Sequence, residues 1–189
     1  MTRSFVWQSL YWAWLASEVA ILVFTRTRNS SGNTRDRGSL LILWPAIAIS
    51  LTIGIFYGET RPHTINNGAS WVSTLSLCIL AIGLAIRWTA VLTLGKSFSA
   101  NVAIHATQTV HKTGLFRFVR HPSYSGLLLI FIAIGLHTRN WIALAIVFIP
   151  PTVALLYRIH VEEDALRLAF GREYEDYSRS TKRLIPGIY

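Results

Sequence analysis

Apolar blocks of near-membrane length, separated by short polar stretches rich in arginine, constrain this chain more than any other feature of its sequence. A helix needs roughly 20 apolar residues to cross a hydrocarbon core about 30 Å thick. Such blocks fall at about residues 5–24, 40–57, 70–94, 124–136 and 141–159. Of 189 residues, 52% are hydrophobic and only 14% charged, a distribution that a water-soluble domain does not need. The expected fold class is therefore all-α: a multi-pass helical membrane protein of about five transmembrane helices. Trp7, Tyr11, Trp12 and Trp14 cluster near the start of the first block, as an interfacial aromatic belt does. Arg3 precedes that block and no small-residue cleavage site follows it, so it reads as a retained helix.

The net charge of +9 suits nucleic acid in a soluble chain. Here the basic residues sit mostly between apolar blocks, so anionic lipid and membrane topology account for them, and no nucleic-acid partner is expected. Arg26, Arg28, Arg35 and Arg37 fill one loop, and Lys96, Lys112, Arg117 and Arg120 another. The positive-inside rule puts both in the cytoplasm. The stretch 58–69 has Arg61 as its one Lys or Arg and fits the far side. A cytoplasmic C-terminal region after five spans places the N-terminus opposite.

Two charges break the apolar pattern. Glu18 and Arg87 lie about two turns before the cytoplasmic ends of their spans, hence at similar depth. An unpaired charge there costs about 2.5–3.5 kcal/mol on insertion scales. Either the two pair, or Arg87 snorkels and Glu18 is protonated.

The fourth block is short for a span. With the polar turn 137–140 and the fifth block it reads as a helical hairpin entering from the cytoplasm. Pro150 and Pro151 should interrupt and kink the second arm. A helix should then leave the membrane near residue 157 and end at Gly171, where a left-handed cap belongs. This divides the chain into a three-helix membrane region, 1–94, and a catalytic region, 95–189.

The polar residues that could carry chemistry crowd the start of the hairpin. Gly-Leu-Phe-Arg-Phe-Val-Arg-His-Pro-Ser-Tyr-Ser-Gly, residues 114–126, puts Arg120, His121, Ser123 and Tyr124 at the doorstep of an apolar helix. Pro122 fits its first turn, where no N–H is needed. The free N–H groups of such a helix start suit a carboxylate or a phosphate. The same stretch also fits a basic membrane flank with a snorkelling arginine and an interfacial tyrosine. Further on, Arg158 and Glu162 stand four residues apart, on one helix face. They read either as an ion pair or as separate tools, Arg158 to grip an anion and Glu162 to accept hydrogen bonds. Glu163 points about 100° away and ranks below Glu162. Four histidines (105, 111, 121 and 160) and the single Cys78 lack zinc-like spacing, so no metal site is expected. No Gly-rich phosphate loop and no Ser-His-Asp arrangement stands out.

These residues carry a resemblance. Arg-His-Pro-Ser-Tyr-Ser-Gly resembles the central motif of the isoprenylcysteine carboxyl methyltransferase family. A second block resembles that family as well: Arg158, Glu162-Glu163, Leu166, Phe170-Gly171, Tyr174, Tyr177 and Arg183-Leu184-Ile185-Pro186. The likeness runs from about Leu94 onward. It implies an integral membrane methyltransferase that uses S-adenosylmethionine, with its active site facing the cytoplasm. Its acceptor would be lipophilic, most plainly the carboxylate of an isoprenylated cysteine, with another isoprenoid acid or lipid left open. The resemblance assigns Glu162, His121, Pro122, Ser123 and Tyr124 to the cofactor. It lines the same pocket with Gln108, Thr109, Val110, His111 and Phe116, and gives Arg158 to the substrate. Phe116 stands where family members often have tyrosine. The first motif alone also resembles part of the NADPH-dependent membrane sterol reductases. A non-catalytic protein whose basic loops bind anionic membrane lipid is the other alternative. Such a transfer needs few tools, because a carboxylate is already deprotonated at neutral pH.

Overall fold

The computed structural model describes residues 2–28, 33–34, 38–62, 64–65, 70–95, 103–104 and 109–189. Among the described residues six α-helices make the frame: α1 (Thr2–Arg28), α2 (Ser39–Thr60), α3 (Ser70–Leu94), α4 (Pro122–His137), α5 (Trp141–Phe170) and α6 (Arg172–Ser180). By length and composition α2, α3 and α5 can each cross a membrane, and α4 is a shorter apolar helix of 16 residues. The all-α membrane architecture is thus as expected. A two-residue antiparallel ladder pairs β1 (Asn33–Thr34) with β2 (Ala103–Ile104).

The helices pair by small residues and apolar faces. α3 lies along α4, and α2 along α5. Gly83 and Gly126 let α3 and α4 touch backbone to backbone. A Cβ on Gly126 would stand 2.7 Å from the Gly83 carbonyl oxygen and 2.8 Å from the Arg87 nitrogen, closer than real side chains come. Between apolar helices in lipid, such close approach supplies the packing that hydrophobic burial cannot. Trp14, Leu80, Ile130, Phe131, Ile134 and Leu155 fill the core. Leu41, Phe56, Leu92 and Val153 point outward and are exposed, which suits lipid and not water.

The α4–α5 hairpin is closed by a locked turn. Arg139 takes a positive φ of 56°, and its carbonyl accepts from the Thr64 and Ile65 N–H groups, both at 2.9 Å. Its side chain donates to Ser73 Oγ at 2.6 Å. The Asn140 side chain caps α5 by accepting from the N–H groups of Ile142 and Ala143. Trp7 stacks flat on His137 at 3.7 Å, so α1 is tied to the same end of the bundle.

One expectation is corrected here. Pro150 and Pro151 do not interrupt the second arm: α5 runs as one helix from Trp141 to Phe170. Each proline removes one N–H donor, but its fixed φ near −65° is already helical, and neighbouring helices tolerate the loss. Pro151 is buried and Pro150 exposed.

Beyond Gly171, whose φ of 51° turns the chain, α6 leads into a tail that folds back on the start of α4. Val119 and Lys182 form a parallel bridge. The Arg120 N–H donates to the Lys182 carbonyl at 2.7 Å, and the His121 N–H to that of Arg183 at 3.0 Å. Ser125 Oγ donates to the Leu184 carbonyl at 2.7 Å.

Candidate functional site

Three polar networks meet at the end of the bundle opposite the hairpin turn. The first joins α1, α3 and α4. Glu18 and Arg87, 3% and 5% exposed, form a two-point pair: Arg87 Nε donates to Oε1 at 2.9 Å and Nη2 to Oε2 at 2.7 Å. Trp14 Nε1 also donates to Oε1, at 3.2 Å. Arg87 Nη1 donates to Ser123 Oγ. Of the two readings of Glu18 and Arg87, the structure realises the pair.

The second network joins α2, α4 and α5 through one hydroxyl. Arg158 Nε donates to Tyr124 Oη at 2.9 Å, and Tyr124 Oη donates to Glu162 Oε2 at 2.9 Å. Arg158 Nη1 donates to Ser39 Oγ at 2.8 Å. Arg158 is buried, whereas the Glu162 side chain is 30% exposed. Tyr124 therefore bridges a buried cation and an accessible carboxylate. His121 completes the group: its ring stacks on Tyr124 at 5.6 Å, and Nδ1 lies 3.9 Å from Glu162 Oε2.

The third network surrounds Glu163. Its side chain has no exposed surface. Arg120 Nε and Nη2 approach Oε1 at 2.9 and 2.8 Å, with His121 Nε2 at 3.4 Å. Arg167 Nη2 reaches Oε2 at 3.2 Å, and Arg183 donates to it through Nε and Nη2 at 3.1 and 3.0 Å. These hydrogen bonds to Glu163 raise the Arg183 guanidinium above its ordinary range. Glu163, ranked below Glu162 as a candidate in the sequence, is the more buried and the more heavily bonded of the two. A signal was present, since Glu163 before Arg167 is the favoured i,i+4 order.

The remaining residues singled out in the sequence fall as follows. Pro122 opens α4. The Ser123 hydroxyl faces Arg87 and belongs to the first network. Thr109 is exposed and Val110 half-buried. His111 meets the buried Phe116 edge to face at 5.4 Å. The Phe116 carbonyl accepts from Tyr177 Oη at 2.6 Å, which ties this strip to α6. Burial pushes the Tyr177 hydroxyl up to about 12 and raises that of Tyr174 as well. Gln108 lies outside the described residues. Ser39, fully buried against Arg158, escaped notice because a serine opening an apolar helix looks like any helix start.

An apolar cleft opens beside the second network. Ile21, Leu22, Leu40, Leu43, Ile47 and Leu127 wall it, and Arg87, Glu18, Tyr124 and Arg158 stand at its polar end. Among the described residues two buried side-chain polar atoms lack a partner: Trp44 Nε1, whose side chain lines this cleft, and Tyr174 Oη on α6.

A helical bundle with membrane-length helices, an apolar cleft and an Arg–Tyr–Glu chain at its mouth defines a multi-pass membrane protein with a polar site at one end. The chain belongs to the isoprenylcysteine carboxyl methyltransferase (ICMT) family, whose profile matches residues 74–168, half of its length. It is 37% identical over 123 residues to a probable protein-S-isoprenylcysteine O-methyltransferase of Oryza sativa subsp. indica, covering 62% of this chain and 63% of that one. It is 29% identical over 138 residues to the protein-S-isoprenylcysteine O-methyltransferase of Mus musculus, covering 71% and 46%. The solved eukaryotic intramembrane Ras methyltransferase ICMT superposes with a TM-score of 0.66 at 26% identity, over 77% of this chain and 52% of that one. The chain thus spans between about half and two thirds of the relatives it matches.

Proposed function

We propose that this protein is an integral membrane methyltransferase, taking its methyl group from S-adenosylmethionine and placing it on the carboxylate of a lipophilic acceptor, an isoprenylated cysteine. The observation that carries this reading is the Arg158–Tyr124–Glu162 chain at the border of an apolar cleft and a part-exposed polar site. The family and the relatives named above agree with it, and none of them is a reductase.

The residues present fit such a donor. Glu162 is a part-exposed acceptor for hydroxyl or ammonium groups, and the stacked rings of His121 and Tyr124 offer a flat face beside it. Tyr174 Oη, buried without a partner, adds a hydrogen-bonding group on the same side of α5 as Arg120 and Glu163, whose charges act on it. Glu162, His121 and Tyr124 would hold the donor. When bound it supplies an activated methyl on a sulfonium. The protein's own part is to hold the acceptor carboxylate in line. Arg158 does this with a planar fork already oriented by Ser39. The carboxylate needs no general base. What it needs is alignment at near-attack distance and exclusion of water. The apolar cleft supplies both by taking the lipid tail and leaving the head at Arg158. Trp44 Nε1 lies in the same wall, near the path of that head. The site faces the cytoplasm, because it lies at the ends of α1 and α3 from which the sequence runs into its arginine- and lysine-rich stretches.

The test is ligand protection followed by transfer. A ligand of the native state stabilises it by about 2.7 kcal/mol at one hundred times its Kd. S-adenosylhomocysteine should raise the melting temperature of the purified protein in detergent, and NADPH should not. Labelled methyl should then pass from S-adenosylmethionine to an S-prenylcysteine analogue. Protection by NADPH alone, or protection without transfer to any prenylated acid, would overturn the reading.

A further inference from the structure

Glu163 is the most heavily bonded carboxylate of the described residues and touches neither the cleft nor the Arg158–Tyr124–Glu162 chain. Its two oxygens face different parts of the molecule. Oε1 takes Arg120 and His121, the residues that lead into α4. Oε2 takes Arg167 on its own helix and Arg183 in the tail. Arg120 passes the link on, because its Nη1 donates to the carbonyls of Ser178, at 2.9 Å, and Thr181. One buried charge thus joins the start of α4, the end of α5 and the returning tail. The His121 ring that it holds is the ring stacked on Tyr124.

We infer that Glu163 is a positioning residue of the methyl-donor site, acting through His121 and the tail without contacting either reactant. The inference rests on the proposed function. It assigns Glu163 to one side of the reaction only. Arg158 is held by Ser39 and by Tyr124, and the cleft is walled by α1, α2 and Leu127; Glu163 bonds none of these directly and reaches Tyr124 only through the stacked His121 ring. Loss of the Glu163 charge should therefore loosen the donor and leave the acceptor. A residue that only stabilised the fold would move both together.

Glu163→Gln keeps the volume but turns one oxygen into an amide donor, which then faces guanidinium donors and cannot satisfy them. The full chain in detergent micelles is titrated with S-adenosylhomocysteine by calorimetry, and KM is measured for an S-prenylcysteine analogue. The expected result for Glu163→Gln is at least tenfold weaker S-adenosylhomocysteine binding with the acceptor KM within twofold of wild type. Glu163→Asp, which keeps the charge on a shorter arm, should recover part of the loss. Arg183→Gln removes one tail cation from a part-exposed position and should weaken donor binding at least threefold; it decides the matter if Glu163→Gln does not fold. Trypsin should also cut the tail faster in both variants. Wild-type donor affinity in the folded variants, or an acceptor KM rising by the same factor as the donor Kd, overturns the inference and leaves the proposed function standing. A wild-type protein that binds no S-adenosylhomocysteine removes the proposed function and this inference with it.

Discussion

Stranding the Arg87 charge should be among the most damaging single changes available in this bundle. Glu18→Leu removes a carboxylate that accepts two hydrogen bonds from Arg87 and one from Trp14, in a position only 3% exposed. Breaking a buried pair by deleting one partner costs about 3–5 kcal/mol, because the other charge stays buried. Insertion scales put an arginine at the centre of a membrane helix at about 2.5–3.5 kcal/mol. Both routes give a loss of about 3 kcal/mol for Glu18→Leu. Arg87→Leu should cost less, about 1–2 kcal/mol, because a carboxyl group can shed its charge by taking a proton and a guanidinium cannot. Replacing both by leucine removes both charges, and paired apolar replacements of buried ion pairs are often neutral. The double variant should therefore be more stable than Glu18→Leu alone, a coupling that a double-mutant cycle reads directly. The assay is denaturant unfolding of the purified protein in detergent micelles, followed by tryptophan fluorescence. If Glu18→Leu costs under 1 kcal/mol, Arg87 reaches the interface without its partner by snorkelling, and the reasoning fails. If the double variant is no better than the worse single, the pair is not the unit of stabilisation.

Two further outcomes follow from the same geometry. Arg158→Ala should leave S-adenosylhomocysteine affinity within threefold and lower kcat at least a hundredfold, whereas Glu162→Ala should weaken that affinity at least tenfold; equal losses of cofactor affinity, measured by calorimetry, would remove the division of roles. Single cysteines placed at Ser31 and Ser178 should be labelled by an impermeant maleimide from the same membrane face, and one at Asn66 from the other; opposite labelling of Ser31 and Ser178 would refute the cytoplasmic placement.

Much of this was legible because membranes simplify the rules. An apolar block of about 20 residues has few alternatives to a helix, so α2 and α3 follow from length alone. Glu18 and Arg87 were readable as partners because both lie two turns from the same end, and a lone charge at that depth is costly. Arg158 and Glu162 were readable as sharing a face, but Tyr124 was not readable as the bridge between them. That depends on how far α4 stands from α5, which no local spacing encodes. The bonding of Glu163 was not legible for a physical reason. On an isolated helix, about 100° from Glu162 means turned away from the site. Here α6 and the tail wrap the far side of α5, so both faces are covered. Pro150 and Pro151 remove two donors from α5, yet it runs on as one helix, because a helix packed among others tolerates that loss.

The lengths of the two hairpin arms account for where the site sits. α5, at 30 residues, is about 45 Å long, while the hydrocarbon core is about 30 Å thick. A helix of that length standing upright from the far edge of the core would overhang it by about ten residues, those that hold Glu162, Glu163, Asp164 and Arg167. α4, at 16 residues, is about 24 Å long, shorter than the core. The two arms start together at the locked turn, so α4 begins level with the Arg158 region of α5, below the overhang. The Tyr124 hydroxyl lies at that step and can reach Arg158 beside it and Glu162 above it. On the proposed function, an acceptor arriving through the lipid would meet Arg158 first. A water-soluble donor arriving from outside would meet Glu162 first, beside α6 and the tail. A longer α4 would lift Tyr124 into water, and a shorter α5 would leave no carboxylates for the tail to bind. On the proposed function, the mismatch between the arms would make a shelf where a lipid-soluble and a water-soluble reactant approach the same hydroxyl from opposite sides.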